Sequence, residues 1–149
     1  MGKDWEDGFY GVGVREPSAS ELQFFKSSRG QITPAYAAED DRIVVNPYFK
    51  FAHSGKGLTP EQLYGIKLNE ASRIHMRRGN IAAPNYEVSE DQLNSEIAPG
   101  FPLHKYSQDM NDIRQTIAAR ILSGDIGSLK PTPEQLDYAA QLRKFMGVK

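Results

Sequence analysis

The stretch LTPEQLYGIKLNEASRIHMRRG, Leu58 to Gly79, opens with a helix start signal. Thr59 stands at the N-cap and Gln62 three residues later, the capping-box spacing, in which each side chain satisfies a backbone N–H that the first turn leaves without a partner. Pro60 occupies the first helical position, where a missing donor costs nothing. Leu58 and Leu63 are spaced to staple across the cap. At about 100° per residue, Tyr64, Leu68, Ala71 and Ile74 share one side. Glu70, Arg73 and Arg77 fall across from them, so the expectation is an apolar side facing a core and a charged strip facing solvent or a partner.

The same start signal recurs in VSEDQL at Val88 and PTPEQL at Pro131, each with Ser or Thr at the N-cap and Gln three residues on. Helices are therefore expected to start near residues 60, 89 and 133; the uneven spacing does not describe a repeat protein. A fourth helix runs from about Asp109 to Ser123 and stops at Gly124, with Met110, Ile113, Ile117 and Ile121 as its apolar stripe. The last helix is expected to bury Tyr138, Ala139, Leu142, Phe145 and Met146. Between these helices, APGFPLHKY is a proline-broken loop.

Before Gly57 the pattern is different. ELQFFKSS and DRIVVNPYFKFA are the strand candidates: Ile43, Val44 and Val45 are β-branched, follow the acidic turn AEDD and precede Pro47, which ends a ladder. Residues 1–20 are rich in Gly, Ser and acids and carry Trp5, Phe9 and Tyr10, the composition of a partner-docking arm. Tyr10, Val12 and Val14 also alternate with Gly11 and Gly13, as a short strand would. The fold expected is α+β: a short antiparallel hairpin or small sheet in the first third, followed by about four helices. Residues 1–20 would form the arm and residues 21–149 a single domain.

Composition bounds the function. The 149 residues are 39% hydrophobic and 25% charged, ordinary for a globular domain with a core of its own. Lys+Arg 18 against Asp+Glu 19 gives a net charge of -1, so no bulk electrostatic attraction to nucleic acid or acidic membrane exists. The lack of cysteine excludes disulfides and thiolate chemistry. The N-terminus has charge where an export signal needs an apolar run, and Glu6 breaks the myristoylation pattern. No apolar run approaches the roughly 20 residues of a membrane span. The expected setting is cytoplasmic or inside a virion.

The familiar catalytic motifs fail one by one. A zincin helix needs His-Glu-x-x-His, but the matching positions hold Asn69, Glu70 and Arg73. HSGKGLT has Lys50 where a Walker loop needs glycine, and Lys56 is followed by Gly57 rather than Ser or Thr. GVGVRE lacks the third glycine of a dinucleotide fingerprint. Among His53, His75 and His104, none has a nucleophile or acid at a telling local spacing, and His75 lies on the apolar side as a hydrogen-bonded residue at the edge of the core. No catalytic, cofactor-binding or metal-ligating residue is predicted.

Arginine is left. Arg73 and Arg77 are like charges four apart, a mild cost unless acids compensate. Arg114 projects between Ala118 and Ile121 on a side its helix should bury, so either its stem snorkels past the core or it pairs with a carboxylate, Glu70 first. At AEDDRIVVNPY, LNEASR and RQTIAARILSGD the chain resembles small uncharacterised proteins encoded by tailed phages and prophages, over roughly Leu22 to Met146. The resemblance implies a phage-related setting, as a virion accessory or host-takeover factor. The function expected is a non-enzymatic interaction or structural role with a protein partner or a second copy, through Trp5, Phe9, Tyr10, Arg73, Arg77 and Arg78. The alternatives are nucleic-acid binding by Arg73, Arg77 and Arg78, with Arg120 adding to the patch, or an enzyme whose site is assembled from distant residues.

Overall fold

The computed structural model describes residues 8–52, 54–79, 84–98, 100–106 and 109–148, the side chains of Lys105 and Tyr106 excepted; Trp5 and His53 lie outside this set. Three short strands form the first sheet: β1 (Gly13–Arg15), β2 (Ala35–Ala37) and β3 (Arg42–Val45). β3 lies in the middle, parallel to β1 and antiparallel to β2. Its β-branched residues suit a strand buried on both faces. Ile43 joins one core with Val12 and Leu68, while Val44 joins another with Phe25 and Ala38.

Phe25 belongs to helix α1 (Ala19–Lys26), which corrects the expected strand ELQFFKSS. Ser18 Oγ accepts from the Glu21 N–H at 3.3 Å and Glu21 Oε1 from the Ser18 N–H at 2.7 Å, a capping box that overrides the aromatic, strand-like composition. The chain then folds back tightly at Gly30, where a Cβ would lie 1.7 Å from the Phe24 carbonyl oxygen. Upstream, Phe9 and Val12 exchange backbone hydrogen bonds across a turn with Tyr10 and Gly11 at φ 51° and 82°, so residues 9–15 fold onto the body of the protein.

The opening stretch forms helix α2 (Pro60–Arg77), with the Thr59–Gln62 box and Pro60 as expected. It is followed by the single turn α3 (Glu90–Leu93), the hairpin of β4 (Glu96–Ala98) and β5 (Phe101–Pro102), and the turn α4 (Leu103–Tyr106). Helices α5 (Met110–Ser123) and α6 (Pro133–Met146) complete the chain. Helix α5 ends at Gly124 with φ 83°, the left-handed cap its sequence predicts. The fold is α+β, as expected, with a further two-stranded sheet beyond the first third. Two apolar expectations fail at the helix margins: Phe145 is 46% exposed and Met110 36% exposed.

α2 is the central element: β2 and β3 pack against it, and so does α5, while α6 packs on α5 and also reaches α2, where Phe145 lies edge-on to His75. The two-sided packing corrects the reading of α2 as half solvated. Leu68, Ala71 and Ile74 are buried as expected, but so are Asn69, Glu70, Ser72 and His75. Polar groups placed there need partners. Gln115 Nε2 donates to Asn69 Oδ1 at 2.7 Å and to Asn69 O at 2.9 Å, with Ser72 Oγ alongside. His75 Nε2 lies 2.9 Å from the Tyr10 carbonyl oxygen, the hydrogen-bonded role its position predicts.

The other two Gln capping boxes face one another. Gln92 Nε2 donates to Gln135 Oε1 at 2.8 Å and Gln135 Nε2 to Gln92 Oε1 at 2.9 Å. Each Oε1 also accepts from its own N-cap, Ser89 N–H at 3.2 Å and Thr132 N–H at 3.0 Å. Both side chains are buried. Replacing Gln135 with Ala removes one donor and one acceptor from the buried Gln92 amide, which keeps the Lys130 carbonyl at 2.9 Å, and should cost about 1–3 kcal/mol in chemical denaturation. Leu136→Ala, one residue along on the exposed face, should stay within about 0.5 kcal/mol. Equal effects at the two positions would show that the amide pair contributes nothing beyond local helix propensity.

Candidate functional site

A cavity of about 300 Å³ opens where β2, α2, α5 and the β4–β5 hairpin meet. Ile66, Ile97, Phe101 and Leu103 give it an apolar side, and Asn69, Glu70, Arg73 and Arg120 a polar one. The polar residues come from two helices pressed together around a small residue. A Cβ at Gly65 would meet Ser123 Oγ at 3.0 Å and Asp125 Cβ at 3.1 Å, so glycine lets the turn after α5 close on α2.

Arg120 is 5% exposed. Its Nη1 bonds Asp125 Oδ2 at 2.6 Å, and its guanidinium carbon lies 6.0 Å from the centre of the Phe101 ring. Burial pulls the guanidinium pKa down and the Asp125 carboxyl up, each opposed by the charge of the other. A guanidinium stays charged at any ordinary pH, so the pair is ionic. Arg73 reaches Asp112 Oδ2 with Nη1 at 3.0 Å and holds Nε 3.6 Å from Glu70 Oε1, beyond hydrogen-bond length. The Nε–H donors of Arg73 and Arg120 are both buried, and neither has a hydrogen-bond acceptor among the described residues.

Glu70 sits between the two arginines and is 8% exposed, not on the solvated strip expected of it. Burial pushes its carboxyl up from the ordinary value of 4.5, while Arg73, Arg120 and the Ala37 N–H pull the other way. The expected Arg114–carboxylate pair is not formed: Arg114 Nε donates to the Tyr86 carbonyl at 2.7 Å, and the Tyr86 hydroxyl donates back to the Arg114 carbonyl. Arg120, expected in an exposed patch, is instead the most enclosed cation of the cavity.

The other predicted residues lie elsewhere. Phe9 and Tyr10 pack edge-on against each other and against Tyr64, whose hydroxyl is 2.9 Å from that of Tyr10. Arg77 donates to Asp41 Oδ1 at 2.9 Å and to the Ala38 carbonyl. Arg78 donates to the Gly11 carbonyl at 3.2 Å and lies 3.6 Å from Asp41 Oδ2. His104 Nδ1 lies 3.2 Å from the Leu93 carbonyl, away from the cavity lining. Among the described residues no group of three His, Asp or Glu side chains is arranged to hold a metal ion, and no helix is long and apolar enough to cross a membrane.

The segments LNEASR and RQTIAARILSGD, quoted for the phage resemblance, meet here: the first supplies Glu70 and Arg73, the second Arg120 and Asp125. No family model matches the chain, and neither a curated protein nor a solved structure matches it. The chemistry of the site therefore rests on its geometry.

Glu70 should titrate above 4.5 in a carboxyl NMR titration of the folded protein. The folded state holds that proton more tightly than the unfolded chain. The contribution of Glu70 to stability therefore falls as pH rises from 4.5 through the folded value, and Glu70→Gln should flatten that part of the stability curve. Glu21 runs the other way: Arg15, at 2.7 Å, holds its carboxyl below the usual range, so its contribution is present above 4.5 and lost as pH falls. A Glu70 midpoint at or below 4.5 contradicts the burial argument.

Proposed function

We propose that the chain is a non-enzymatic binding protein that seats a small carboxylic acid in the cavity between α2, α5 and β2. The observation that carries the reading is that Arg73 and Arg120 line one cavity while each keeps a buried Nε–H that has no acceptor among the described residues. A buried donor left unpaired costs about 1–3 kcal/mol, which a ligand oxygen recovers. A guanidinium matches the oxygens of a carboxylate or a phosphate, and such hydrogen bonds are charge-assisted. The apolar side, Ile66, Ile97, Phe101 and Leu103, suits a short hydrocarbon or aromatic body attached to that carboxylate. At about 300 Å³ the cavity accommodates a small molecule and not a polymer chain.

Calorimetry and thermal shift with benzoate and hexanoate test the reading. Both should bind and raise Tm, and methyl benzoate, which lacks the charge, should not. Arg73→Gln, on the less buried of the two arginines, should weaken benzoate by at least about tenfold. If neither acid binds at millimolar concentration, the reading is wrong.

A second reading keeps the protein in an interaction or structural role, in the phage-related setting that the resemblance implies, with a second copy of the chain as partner. Phe24, Ile32 and Tyr48 support it: they are 41%, 54% and 47% exposed, on segments joined by hydrogen bonds of Ser27 and Asn46. A net charge of -1 offers little repulsion between copies. Sedimentation equilibrium should then show concentration-dependent dimers that Tyr48→Glu abolishes, whereas a strict monomer at all concentrations rules it out. The nucleic-acid alternative has less support, because Arg73, Arg77 and Arg78 already face aspartates.

A further inference from the structure

We propose that the cavity takes its carboxylate together with one proton, held on Glu70, so that binding is coupled to proton uptake. The inference rests on the carboxylate-binding reading above and adds its regulation. The geometry behind it is a count of charges around a confined space. Arg73 already has Asp112 at 3.0 Å, and Arg120 has Asp125 at 2.6 Å. Each cation thus has one acid on its terminal nitrogen and a buried Nε–H without an acceptor among the described residues.

Glu70 lies between these two ion pairs, and neither of them bonds it within hydrogen-bond length among the described residues; its Oε1 stands 3.6 Å from Arg73 Nε. The groups facing it are Arg73 on its own helix, Asp112 and Arg120 on α5, and the Ala37 N–H on β2. Beyond them, Asp125 is tied to Arg120. Two guanidinium charges therefore face three carboxyl groups before any ligand arrives.

A carboxylate seated against these two arginines comes to rest beside Glu70, which lines the same cavity. Two adjacent carboxylates disfavour each other's ionised form, and such a pair shares one proton, as paired acids do. The step balances simply. Ionised Glu70, one proton from solvent and the ligand carboxylate become a neutral Glu70 carboxyl that donates its O–H to the ligand oxygen. No bond in the ligand is broken, and no redox partner is needed. Because linkage is reciprocal, the ligand raises the proton affinity of Glu70 by the same factor by which the proton raises ligand affinity.

Calorimetric titration of the full chain with benzoate from about pH 5 to 9, where a simple carboxylic acid stays ionised, tests the coupling. Repeating each titration in two buffers of different ionisation heat counts the protons. Wild type should take up close to one proton per benzoate at the alkaline end, with Kd rising up to about tenfold per pH unit there. Towards the acid end, uptake should fall and Kd should level off. Glu70→Gln, checked for folding by thermal unfolding, should bind benzoate with a Kd independent of pH and no proton uptake. Benzoate binding to wild type with a level Kd and no uptake overturns this inference and leaves the binding reading intact. Absence of binding at every pH overturns both. The proton count is made on wild type, so a Glu70→Gln variant that fails to fold still leaves a decisive result.

Discussion

The structure depends on a helix of mixed composition being buried on both sides. α2 lies between the β2–β3 face and α5, yet it supplies few large apolar residues: Ile66, Leu68 and Ile74 are the fully enclosed ones. Burying polar groups is unfavourable unless each finds a partner. The chain meets this with partners fixed in place, Gln115 for Asn69 and Ser72, and the Tyr10 carbonyl for His75. Gly65 and Ala71 keep the approach close. Glu70 accepts from the Ala37 N–H but forms no hydrogen bond with either neighbouring arginine among the described residues. It faces space and two half-engaged arginines, which is why the cavity rather than the surface holds the chemistry.

Much of the fold was legible because helix starts are written locally. A box such as Thr59–Gln62 lies within four residues and needs no knowledge of the tertiary structure. Helix α1 carries the same kind of signal in Ser18 and Glu21, but its aromatic pair Phe24 and Phe25 suggested a strand; the cap and the burial of one ring decided otherwise. The site was much less legible. A helical wheel finds one apolar face, and α2 has two covered faces, the second set by β2 from far upstream. The Arg120–Asp125 pair spans five residues across a left-handed glycine, a spacing no helical pattern produces.

The arginines that looked like an exposed patch hold loops in place. Asp41 has a left-handed backbone, φ 60°, in the turn between β2 and β3, and it receives both Arg77 and Arg78. With the Ala38 carbonyl and the Gly11 carbonyl as further acceptors, the end of α2 ties down two separate turns. Like charges four residues apart on Arg73 and Arg77 are tolerable because each is answered by an aspartate from another element.

The two glutamines that face each other at the starts of α3 and α6 explain a choice of residue that local rules leave open. A capping box accepts glutamate as readily as glutamine, and α1 uses glutamate. A primary amide, however, carries donor and acceptor together, so two of them are self-complementary and close a ring. Two carboxylates only accept, and would repel. Gln92 and Gln135 therefore do more than begin helices: their neutrality encodes which helix start meets which, and a signal written in four residues becomes an instruction about the arrangement of elements 43 residues apart.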